Sequence, residues 1–270
     1  MKMNTENIKL IAADVDDTLI PGGQLRLSPR LKKDLLKVRE KGIHLLVNTG
    51  RHYTFVQPTL FEDLPMELIG TINGACLVRR DGSVIEKHEM TEEAMNALTE
   101  ICLHEGIGLG YKFVDRVVAY ANGQRFIDGY CKTDRERSIV QVDETRTHHL
   151  TAGRPLGAFI IGTAEQVEPH YGDVPGMTFA WSCPDGYDVF QSNLNKGTIV
   201  EPILKIYGLT WDQVMSFGDA GNDIPFISRA GIGVAMGNAR KEVQEAADLV
   251  APDCREDGVA QVLEELLLND

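Results

Sequence analysis

The two ends of this chain share one rhythm and the middle has another, and that contrast limits the fold more than any single residue does. The first 75 residues or so alternate short apolar runs with amphipathic stretches. "IKLIAADVD" reads as a buried strand. "SPRLKKDLLKVREKG" reads as a helix, with Ser28 as its cap, Pro29 in its first turn and Gly42 closing it. "IHLLVNTGR" and "ELIGTING" read as two further buried strands. Strands separated by helices in this way pair in parallel, with helices on the faces of the sheet. From about residue 188 the same rhythm returns. "KGTIVEPILKIYG" is a helix, and "TWDQ" offers a capping box from Thr210 to Gln213. Strands at "VMSFGD", "GIGVAMG" and "DLVAP" then alternate with helices at "NDIPFISRAG", "ARKEVQEAA" and the closing segment.

Between these halves the alternation stops. "GSVIEKHEM" reads as a hairpin arm, "TEEAMNALTEICLHEG" as a helix ended by Gly106, and "DRVVAYANG" and "LGAFIIG" as strands. The expectation is an α/β protein. Residues 1–83 and 188–270 form one doubly wound parallel sheet, and residues 84–187 form an inserted α+β domain.

The charge narrows the class of partner. Lys and Arg number 27 against 40 Asp and Glu, a net charge of -13, so the chain has no general affinity for a polyanion and no nucleic-acid role is expected. Five cysteines, at 76, 102, 131, 183 and 254, show no C-x-x-C pair, which fits a reducing compartment and speaks against a disulfide framework or a zinc site. No run reaches transmembrane length, and "MKMNTENIKL" lacks an apolar leader core. A cytoplasmic protein without a membrane role is expected.

Open parallel sheets bind ligands beyond the carboxyl ends of their strands. Three expected strands deliver polar clusters there: "DVDDT", "NTGR" and "GDAGND". Asp14, Asp16 and Asp17 stand within four positions, and their repulsion calls for a cation or a shared proton. Converging in the fold, Asp14, Asp16, Asp219 and Asp223 would make a hard, oxygen-rich pocket suited to Mg²⁺. Each cluster alone has a plainer reading, as an acidic turn, a cap or a strand exit. Their joint occurrence at strand ends favours a site. A calcium loop fails, because its sixth and twelfth positions counted from Asp14 are Leu19 and Leu25. Lys196 in "NLNKGT" is either a solvated lysine or the cation that lets so acidic a pocket accept a phosphate. "GIGVAMG" follows a helix rather than opening one, so it does not read as a dinucleotide loop. His148 and His149 read as solvated, Phe179 and Trp181 as core, and Arg51 as a substrate contact or a surface ion pair.

Taken in order, "DVDDT", "NTGR", "NKG" and "GDAGND" resemble the four motifs of the haloacid dehalogenase-like phosphohydrolases. The insertion, with "TINGA" before it and "GVAMGNA" after the fourth motif, is similar to the Cof-type branch with its large α+β (type IIB) cap. That resemblance implies a Mg²⁺-dependent phosphatase of a small phosphoester, with a sugar phosphate as the expected substrate class. Asp14 would be the nucleophile and Asp16 the acid and base. Mg²⁺ would be held by Asp14, the Asp16 carbonyl and Asp219. Thr49 and the Gly50 N–H would grip phosphoryl oxygens, supported by Lys196 and Asn222, with Asp223 acting behind them. Two positions depart from the pattern: Asp17 stands where Gly is commoner, and Asn48 where a small residue is commoner. Asp at both 14 and 16 leaves phosphatase and phosphomutase open, and a non-catalytic phosphometabolite-binding module is the reading from another class. A monomer or weak homodimer is expected. The residues do not name the substrate.

Overall fold

The computed structural model describes residues 5–269, and its packing divides into two compact units. Along the chain the first strands are β1 (Leu10–Ala13), β2 (His44–Asn48), β3 (Leu68–Thr71), β4 (Cys76–Arg79) and β5 (Val84–Lys87). Then come β6 (Gly108–Lys112), β7 (Val117–Ala121), β8 (Gln141–Val142), β9 (Gly157–Ile161), β10 (Met177–Cys183) and β11 (Gly186–Gln191). The last three are β12 (Val214–Gly218), β13 (Ile232–Ala235) and β14 (Leu249–Val250).

Among the described residues, the first unit comprises 5–49, 56–83 and 195–269. Its strands run in the order β14-β13-β12-β1-β2-β3-β4, all parallel except β4, which turns back against β3. β1 lies in the middle, with Leu10 opposite Val214 on one side and His44 on the other. All four of its residues are buried, as an apolar strand covered on both faces requires. The helix Pro29–Glu40 starts where the sequence places it. Ser28 Oγ accepts from the Leu31 N–H at 3.0 Å, and Leu31, Leu35 and Val38 form the buried stripe. The helix Val200–Tyr207 ends at Gly208, whose φ of 67° closes it. The capping box of Thr210 is present but starts only the turn Trp211–Gln213 that feeds β12.

The second unit comprises residues 50–55 and 84–194. It reaches beyond the expected limit of 187, because β11 pairs antiparallel with both β9 and β10 and so belongs to their sheet. The six strands lie in the order β10-β11-β9-β6-β7-β8. On one face the helix Glu92–His104 sets Met95, Leu98 and Cys102 against Leu109, Tyr111 and Val118. On the other, Phe126 of the helix Gly123–Tyr130 lies directly on β6, where a Cβ on Gly110 would stand 2.0 Å from its ring. His148 is not solvated: its side chain is 13% exposed, packed edge-on to Phe113 and bonded to Asp115. Trp181 reverses the other expectation and is 53% exposed, whereas Phe179 packs on the core. Arg51 pairs with Glu136 within this unit. No helix among the described residues is long and apolar enough to cross a membrane.

Candidate active site

The parallel register of β1 with β12 brings the ends of both strands to the same edge of the first unit's sheet. Asp14 follows β1 and its N–H donates to the Phe217 carbonyl at 3.0 Å. Asp219 follows β12, and Asp223 lies one short turn further on. Carboxylate oxygens of Asp14, Asp219 and Asp223 all lie within 4.8 Å of one another, a group able to hold a metal ion. Residues 200 positions apart in sequence thus share one pocket, as the strand-end reading requires.

Lys196 is the cation of this group. It is 1% exposed, and its Nζ lies 2.7 Å from Asp14 Oδ1 and 2.6 Å from Asp223 Oδ1. Burial disfavours its ammonium, yet Asp14 and Asp223 outweigh that and hold it above the ordinary lysine range. The solvated reading of Lys196 is therefore wrong. Asp223 is fully committed, because its Oδ2 also accepts the N–H groups of Asp219 and Ala220 at 3.0 and 2.9 Å. Its carboxylate thus holds both Lys196 and the backbone of the fourth motif.

One ammonium does not balance three carboxylates. Burial above all, with Asp223, Asp219 and Asp16 adding to it against Lys196, pushes the Asp14 carboxyl well above its ordinary range. Burial and then Asp223 push Asp219 up to about 7, although Thr18 Oγ1 donates to it at 2.7 Å. A divalent cation would relieve both. Three oxygen donors around an excess of negative charge fit a hard ion.

Of the phosphate-gripping candidates, Thr49 and Asn222 belong to the first unit with this group, and Gly50 belongs to the second. Thr49 is buried at the end of β2, with its N–H on the Gly70 carbonyl at 2.9 Å and its own carbonyl accepting from the Asn73 N–H. Asn222 Nδ2 donates to Asn73 Oδ1 at 2.9 Å. Gly50 packs with the second unit, where its carbonyl accepts from Lys112 Nζ at 2.9 Å. Asp16 is half-buried and bridges to Ile20, outside the group of three converging carboxylates.

The sequence matches the description "haloacid dehalogenase-like hydrolase" over residues 11–263, nearly the whole chain. The chain belongs to the haloacid dehalogenase-like hydrolases. Among its curated relatives is the 5-amino-6-(5-phospho-D-ribitylamino)uracil phosphatase YcsE of Bacillus subtilis strain 168, 26% identical, with 97% of each chain covered. Another is the pyridoxal phosphate phosphatase YbhA of Escherichia coli K12, 26% identical, covering 94% of this chain and 97% of that one. In fold it is similar to a phosphatase of the haloalkanoate superfamily from Bacteroides thetaiotaomicron. The TM-score is 0.85 at 24% identity, with 99% and 98% of the two chains covered. It also resembles a subclass IIB sugar phosphatase of the same superfamily, with TM-score 0.83 at 22% identity and 95% and 98% covered.

Within this hydrolase the two departures from the motif pattern acquire reasons. Asp17 has a φ of 56°, the left-handed region where glycine is at ease, and its Oδ1 accepts from the Gly22 N–H at 2.8 Å. Aspartate is among the few residues that tolerate this conformation. Asn48 is fully buried and its Nδ2 donates to the Lys196 carbonyl at 2.7 Å, tying the second motif to the third. Thr18 and Asn73 join the site without having been singled out. "DVDDT" contains the first and "TINGA" the second, but nothing local says that either side chain turns toward residues near 220.

Proposed function

We propose that the chain is a Mg²⁺-dependent phosphatase of a small phosphorylated metabolite, with sugar phosphates as the leading class. The observation that carries this reading is the buried Lys196 between Asp14 and Asp223, beside a third carboxylate. A buried lysine braced this way holds its positive charge where a phosphoryl oxygen would lie. Curated relatives named as phosphatases of two different phosphorylated metabolites support the reaction class.

Asp14 attacks phosphorus through a carboxylate oxygen, the bond to the leaving oxygen breaks, and Asp16 supplies the proton that oxygen needs. Water then attacks the aspartyl phosphate, Asp16 takes up its proton, and Asp14 is restored with release of inorganic phosphate. Asp16 suits both steps because it lies outside the crowded carboxylate group. Thr49, the Gly50 N–H, Lys196 and Asn222 grip the phosphoryl oxygens, and Asp223 keeps Lys196 in place. Asp14, Asp219 and the carbonyl of Asp16 would hold Mg²⁺, which would supply charge neutralisation at the phosphoryl group. The second unit selects the organic part of the substrate and takes no part in bond making.

The test is a screen of the purified protein against a panel of phosphorylated metabolites, with Mg²⁺ or with chelator. The expected result is Mg²⁺-dependent release of inorganic phosphate from a small set of them. An isomerised substrate without phosphate release would assign a phosphomutase. No turnover of any panel member, with full occupancy by a phosphometabolite, would assign a binding module.

A further inference from the structure

Ile72, Asn73 and Gly74 form a turn with φ of 54°, 52° and 94°. A β-branched residue at positive φ is an outlier, and such backbone persists where its surroundings over-determine it. Three contacts do so here. The Asn73 N–H donates to the Thr49 carbonyl at 3.3 Å. Asn73 Oδ1 accepts from Asn222 Nδ2 at 2.9 Å. Gly74 lies so near the backbone before Lys196 that a Cβ would stand 2.1 Å from the Asn195 carbonyl oxygen. One turn therefore touches the second, third and fourth motifs at once.

Asn73 is 1% exposed, and its Oδ1 accepts from the Asn222 side chain. Asn222 Oδ1 is buried without a partner. An amide can present either edge, and only its N–H edge attracts a phosphoryl oxygen. With one Nδ2 hydrogen accepted by Asn73 Oδ1, the other hydrogen is left to donate.

We infer that Asn73 is a positioning residue that acts through Asn222 and Thr49 to hold the phosphoryl grip. The inference rests on the phosphatase reading, in which those two residues contact the phosphoryl group. Kinetics on p-nitrophenyl phosphate and inhibition by inorganic phosphate are to be measured for Asn73→Gly, Asn222→Ala and the double variant. Glycine keeps the left-handed backbone while removing the acceptor. Each single variant is expected to lower kcat/KM about tenfold and to weaken phosphate inhibition. The double variant is expected to match Asn222→Ala within about twofold, because a group that acts through another adds nothing once that other is gone. Asn73→Asp keeps the acceptor, so Asn222→Ala should cost as much in that background as in the natural chain. If Asn73→Gly does not fold, Asn73→Ala, which also lacks the acceptor, carries the same comparison with its double variant. Losses that multiply in the double variant would overturn the inference, since they mark separate structural damage. So would an unimpaired Asn73→Gly beside an impaired Asn222→Ala. A silent Asn222→Ala would remove its phosphate role, and the inference with it.

Discussion

Asp14 concentrates the chemistry and the cost of this site in one side chain. Its carboxylate is buried among Asp219 and Asp223 and held by Lys196. Replacing it by Asn removes the nucleophile and one of the crowded charges together. Asp14→Asn is expected to lower turnover by several orders of magnitude without lowering the melting temperature, since the amide relieves repulsion while Lys196 keeps Asp223. Phosphate-release kinetics beside a thermal melt check both halves. Near-wild-type turnover would remove Asp14 as nucleophile. Asp17 allows a purely conformational test at the next position but two. Its left-handed φ makes Asp17→Val destabilising by at least about 1 kcal/mol, whereas Asp17→Gly should stay close to the natural chain. Urea titrations of the two variants separate the backbone effect from the charge, which both remove.

At the scale of elements, the segment 50–55 shows how a short stretch is fixed by side chains far away in sequence. Lys112, on β6, bonds the Gly50 carbonyl and Asp188 on β11. His52 Nε2 donates to the Phe113 carbonyl at 2.8 Å, which leaves Nδ1 to accept from the Thr54 N–H at 3.2 Å. Burial, with Lys112 adding to it, lowers the His52 pKa from 6.5 to about 4. The folded ring therefore stays neutral while the unfolded chain takes up a proton, and stability falls as pH drops from about 6.5 toward 4. A gap from 6.5 to about 4 corresponds to about 3 kcal/mol, reached near the lower end of that window. Below it the folded ring protonates too and the loss stops growing. His52→Gln should flatten this part of the stability profile, measured by denaturant titration between pH 7 and 4. A variant profile parallel to the natural one would show that His52 is not the group responsible.

For the molecule as a whole, the excess negative charge of the site links metal to stability. A cation that binds only the folded chain stabilises it by mass action, by about 2.7 kcal/mol at a hundredfold excess over its dissociation constant. Mg²⁺ is expected to raise the melting temperature of the natural protein and to do so far less for Asp219→Asn. An equal shift in both would remove Asp219 from the ligand set. The division into two units makes a second prediction. Substitutions on exposed polar positions of the second unit should change KM and the ranking of substrates more than they change hydrolysis of a very small phosphoester. Equal loss on large and small esters, with the fold intact, would place a reacting group in that unit.

The alternation of strands and helices at the two ends of the chain, the doubly wound sheet and the four polar clusters were legible in the sequence, because each depends on local pattern. Period, caps such as Ser28 and Gly42, and acidic runs at strand ends all act within a few residues of themselves. What the local pattern left open was direction and pairing. It did not show that Lys196 is buried between two carboxylates, that Asn48 reaches its carbonyl, or that Asn73 meets Asn222. Nor did it show that β11 carries the second unit past residue 187, or that His148 packs on Phe113 while Trp181 faces outward. These contacts join residues tens to hundreds of positions apart. A side chain's burial, partner and charge state there are set by what the parallel register brings beside it, and only the folded chain decides that.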